Sequence, residues 1–134
     1  MGEVVGAGKG FYRVSRVAYP EPLYTPRTVE GKRLLLHTET FDFGFLLQQA
    51  ESGIFGISQP AVDGEVTSYS WIQEPYRGRI SCSLTGINLG NAPISGAAID
   101  FVFSSETEGT YSGDLFNVLG QQLTMEGSFV MSNL

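Results

Sequence analysis

His37 is the only histidine of the chain, and in an extended strand Glu39, two residues on, shares its face. A His–Glu pair turned into a cavity could carry protons, because burial would bring the carboxylate's pKa up toward neutral. The same His-x-Glu spacing opens a zinc deaminase ligand set, but the Cys-x-x-Cys that would complete it is absent, since Cys82 is the only cysteine. No metal is therefore expected. A solvent-facing or hydrogen-bonded structural histidine is the simpler reading. Cys82 lies between Ile80 and Leu84 on one strand face, with Ser81 and Ser83 on the other, which reads as an inert core thiol. The serines form no G-x-S-x-G elbow.

Tyr69 and Trp71 stand two apart on one face of a strand, and Glu74, Tyr76, Arg77 and Arg79 follow at its end. Such a set could wall a pocket with aromatic rings and steer an anionic or carbonyl-bearing ligand with Arg77 or Arg79. Phe101 and Phe103, on one face with Ile99, would extend that wall. Plain core packing with solvated charges explains the same residues. Asp100 reads as outward and solvated, and the pairs Glu106/Glu108 and Asp63/Glu65 read as turn acids beside glycine. The GAGKG at 6–10 matches neither G-x-G-x-x-G nor the Walker pattern, and no strand precedes it, so 1–10 is expected to be a flexible leader. No cofactor motif is present, and no cofactor is expected.

Positioning these side chains falls to strands. The chain has 134 residues, with 17 Gly and 15 Phe plus Tyr, and no run of helix formers long enough to dominate. The segment 97–131 reads as a three-stranded meander: Ile99, Phe101 and Phe103 alternate on one face, Leu123, Met125 and Phe129 on another, and Gly120 sits where a hairpin needs positive φ. Upstream, strands are expected at 11–19, 32–40, 53–58, 65–73 and 79–87, with loops at 59–64 and 88–96. Pro20, Pro22 and Pro26 make 19–31 an extended segment that crosses a barrel end or passes to another subunit. The stretch 41–52 fits a strand through Phe41, Phe43, Phe45 and Leu47, and a helix through Phe43, Leu46, Leu47 and Ala50. The phenylalanines and Gly44 favour the strand. Eight or nine strands without crossover helices predict one all-β domain over 1–134, an antiparallel β-barrel of about eight strands, with a two-layer sandwich as the alternative. Closure favours the barrel because it removes sheet edges.

Net charge is −6, but residues 1–33 carry six basic against three acidic groups, and 34–134 carry only Arg77 and Arg79 against eleven acids. The basic arm is expected to lie on an acidic body, its own or a neighbour's, rather than on nucleic acid, whose phosphates that body would repel. No apolar window is long enough for a membrane helix or a signal peptide, so the expected address is the cytoplasm, which suits a lone thiol. Three functional classes follow. The leading one is a small barrel that binds an apolar or aromatic small molecule in its interior. The second is a barrel-interior enzyme of the cyclase, isomerase or decarboxylase kind using His37 and Glu39. The third is a ligand-free module that forms a homo-oligomer, expected to be a dimer.

Overall fold

The computed structural model describes residues 24–49, 51–58 and 61–134. Its strands are β1 (Lys32–His37), β2 (Asp42–Leu47), β3 (Gly53–Ser58), β4 (Ala61–Glu74), β5 (Arg77–Thr85), β6 (Asn88–Leu89), β7 (Ala92–Phe103), β8 (Glu108–Asn117) and β9 (Gln122–Asn133). No helix occurs among the described residues, and so none long and apolar enough to cross a membrane. Strands β1 to β5 pair in sequence order. β5 then pairs with β7, β7 with β8, β8 with β9, and β9 returns to β1, every pairing antiparallel. Eight strands thus close into a barrel, and β6 adds a short ninth against β7. The expected barrel is the observed fold. The strand expected at 11–19 lies outside the described residues.

Side-chain alternation explains the elements. In β2, Phe43, Phe45 and Leu47 are buried while Gly44 and Leu46 face outward, so the strand reading of 41–52 holds for its first half. The helix-favouring Gln48–Gln49 tail turns instead, and Glu51 takes a positive φ of 57° there. Two β-bulges, between Val66 and Ser68 in β4 and between Ile94 and Gly96 in β7, each insert one residue and change which parity points inward. Inward residues of β4 are accordingly Gly64 and Val66 before the bulge, Tyr69 and Trp71 after it. The two expected loops are corrected in part. Ala61–Gly64 belongs to β4, pairing with β3, and Ala92–Gly96 belongs to β7, because Ile94 is needed in the core and Pro93 opposes only the short β6. Gly120 has φ 81° in the β8–β9 turn, where a β-carbon would be strained.

The interior is filled by side chains. Phe43, Phe45, Phe55, Phe101 and Phe129 are fully buried with Leu34, Leu36, Leu47, Ile80, Ile99 and Leu115. Phe129 lies edge-on to Phe101 at 4.9 Å between ring centroids and to Phe103 at 5.0 Å, while Phe45 and Phe55 are 5.3 Å apart. Residues 24–31 lie across one barrel end. The Trp71 indole Nε1 donates to the Pro26 carbonyl at 2.9 Å, Gln73 Nε2 donates to the Thr25 carbonyl at 3.0 Å, and the Gly31 amide donates to the Leu47 carbonyl at 2.8 Å. Within this segment the Val29 side chain is wholly buried, and Tyr24 meets Tyr76 edge to face.

Candidate functional site

Of the aromatic residues that the sequence suggests as a pocket wall, Trp71, Phe101 and Phe103 are packed together and Tyr69 stands apart. Trp71 is half-buried, its ring 6.0 Å from Phe101 and 6.4 Å from Phe103, and both phenylalanines are buried in the cluster around Phe129. Gly78 makes this packing possible, because a β-carbon there would run into the Trp71 indole. Tyr69 points inward nearer the β2–β3 turn, and its hydroxyl donates to the Gln48 carbonyl at 3.3 Å. Its pKa is raised, first by burial and then by the nearby charges of Glu30 and Glu51. Phe101 and Phe103 thus belong to the hydrophobic core, and Tyr69 and Trp71 pack against it.

His37 and Glu39 do not meet as a pair. The chain turns after His37, and in the β1–β2 register His37 stands opposite Asp42, whose carboxylate lies 2.9 Å from Nδ1. Glu39 is exposed in the turn. The His37 side chain faces outward and is partly exposed, while its carbonyl accepts the hydroxyl of Tyr111 at 2.9 Å. Tyr111 is buried, and its pKa is pushed up to about 12 by burial and by the charge of Asp42. Cys82 is a free, half-buried thiol on the inward face, likewise pushed up to about 12 by burial. At neutral pH both stay protonated, so Cys82 is a poor nucleophile. No group of three or more metal-ligating side chains occurs among the described residues.

Arg77 and Arg79 open onto a different place, a groove on the outer wall of β4, β5, β7, β8 and β9, with a volume of about 900 Å³. The register builds it in two rows. Ile72, Arg79, Asp100, Ser112 and Glu126 lie side by side across five strands, and Glu74, Arg77, Val102 and Thr110 form the next row. Short Thr110 and Ser112 leave the floor low between longer neighbours. Arg79 Nη1 donates to both carboxylate oxygens of Asp100, at 2.9 and 3.0 Å, so that guanidinium is already engaged. Arg77 has no ion-pair partner among the described residues, and apolar surface flanks it, with Ile72 57% and Val102 42% exposed. Of the sequence candidates, the groove brings together Arg77, Arg79 and the strand carrying Phe101. It adds Ile72, Val102, Thr110, Ser112 and Glu126, whose only sequence signal is outward parity in register with Arg77 and Arg79.

These features define a closed antiparallel barrel with a packed interior and an outward-facing groove. No family model matches this chain, and neither does any curated protein or solved structure.

Proposed function

We propose that the protein is a binding module whose ligand docks on the outer groove rather than inside the barrel. The observation that carries this reading is Arg77: a guanidinium with no ion-pair partner among the described residues, beside exposed Ile72 and Val102, in a depression large enough for a small molecule. That combination suits an amphipathic ligand with one carboxylate or carbonyl. Arg77 would take the oxygen atoms as a charge-assisted hydrogen-bond donor, Thr110 and Ser112 would offer hydroxyls from the floor, and the apolar part would cover Ile72 and Val102. Glu74, directly opposite Arg77, and Asp100 and Glu126 border the site and disfavour a second negative charge. The filled interior and the outward His37 argue against chemistry inside the barrel, and a reducing compartment such as the cytoplasm suits the free, half-buried thiol of Cys82.

Octanoate, a single carboxylate on an apolar tail, is the probe. Titrated into ¹⁵N-labelled protein, it is expected to shift the amide resonances of Val102, Thr110 and Ser112, and Arg77→Ala is expected to weaken binding roughly tenfold or more. Shifts confined to inward residues such as Met125 and Leu36, or an affinity unchanged in Arg77→Ala, would overturn the reading.

A further inference from the structure

The opposite side of the barrel carries a second pattern. On the outer face of β1, β2, β3 and β4 one row reads Arg33, Leu46, Ile54, Glu65 in direct register: a cation, two apolar side chains and an anion. Beside it, Leu35 stands next to Gly44, which pairs with Gly56, and on the other flank Leu35 pairs with Val130 of β9. Leu35, Ile54 and Val130 are each between 37 and 42% exposed, so the apolar stripe runs across four neighbouring strands. Gly44 raises no side chain above the sheet, which lets another surface approach the backbone there, while Asp63, the β4 partner of Gly56, sets its carboxylate over that second glycine. Neither Arg33 nor Glu65 has an ion-pair partner among the described residues.

We infer that this face binds a second copy of the chain in an isologous dimer. The row is its own complement. A two-fold axis lying in the interface, parallel to the strands and between β2 and β3, reverses the row. Arg33 then meets Glu65 of the second copy, Leu46 meets Ile54 of the second copy, and both contacts occur twice. A partner of uniform charge would leave either Arg33 or Glu65 facing its own sign, so the alternating pattern selects this chain itself. The dimer leaves the groove of Arg77 on the far side of each barrel, open to solvent.

Charge reversal tests the pairing. Arg33→Glu and Glu65→Arg each place like charges together twice per dimer, and each is expected to raise the dimer dissociation constant about tenfold or more, read by sedimentation velocity from micromolar to millimolar protein. The double variant carrying both changes swaps the signs and is expected to dimerise like the unmodified chain. Because it contains both substitutions, its recovery also shows that neither loss came from misfolding. A chain that sediments as a monomer throughout, a dimer indifferent to both single reversals, or a double variant that stays dissociated would each overturn the inference. In the monomer case, hydroxyl-radical protection of Leu35 and Ile54 would assign the face to the chain's own residues 1–23.

Discussion

Replacing Phe129 with alanine removes the ring at the centre of the aromatic cluster and measures how tightly the barrel interior is filled. Phe129 is fully buried and meets Phe101 and Phe103 edge-on within about 5 Å. Truncation of a buried phenylalanine costs about 3–5 kcal/mol through lost transfer energy and the cavity left behind. Two aromatic pairs, each worth about 0.5–1.5 kcal/mol beyond burial, place this site in the upper half of that range. For 134 residues the unfolding entropy near Tm is about 0.28 kcal/mol/K, so a loss of about 4 kcal/mol lowers Tm by about 14 °C. Trp71, the only tryptophan, packs on Phe101 and reports the transition in urea by its own fluorescence. The same variant should gain what the native barrel lacks, a dry cavity lined by Phe101 and Phe103 that takes up benzene. A stability loss under about 1 kcal/mol, or benzene binding equally well to the unmodified protein, would refute the filled interior.

Two further outcomes follow from the same packing. Cys82 and Tyr111 have folded-state pKa values of about 12 against ordinary values of 9.0 and 10.0, so above pH 10 the unfolded chain releases both protons first. Stability is then complete below pH 9 and falls between pH 10 and 12, these two protons contributing up to about 2.7 kcal/mol per pH unit and Tyr69, raised in the same direction, adding to the loss. Tyr111→Phe should lower that slope by about 1.4 kcal/mol per pH unit in urea titrations, and a flat profile would contradict the burial of both groups. Gly78→Ala drives a methyl group into the Trp71 indole, and overpacking of this kind costs about 1–3 kcal/mol. A red-shifted Trp71 emission should accompany the loss, and unchanged emission and stability would count against the contact.

The barrel was legible because its determinants are local and periodic: Phe43, Phe45 and Leu47, or Ile99, Phe101 and Phe103, alternate along their strands and are all buried. What escaped was set by the bulges and by pairing. Nothing in the chain around Thr67 announces an extra residue, yet that residue turns Tyr69 and Trp71 inward and Ile72 out to the groove. A spacing of two pairs His37 with Glu39, whereas the cross-strand register delivers Asp42. The strand segments at Ala61–Gly64 and Ala92–Gly96 read as loops because turn-forming Pro, Asp, Asn and Gly punctuate the stretches 59–64 and 88–96, and pairing with β3, β6 and β8 overrides that signal. The outer groove was half visible, through Arg77 and Arg79, because a row across five strands has no signature along any one of them.

The pairing of β1 with β9 joins Lys32 to Asn133, 101 residues further along the chain. During synthesis, the β1 edge leaves the ribosome with β2 to follow on one side and its β9 partner missing from the other until nearly all of the remaining barrel has been translated. Leu34 and Leu36, wholly buried once β9 arrives, are displayed on that open edge throughout the delay. Hairpins form the rest of the barrel, so closure waits on this one distant pairing, and the nascent chain is expected to be most open to edge-to-edge association in the interval before β9 closes the ring.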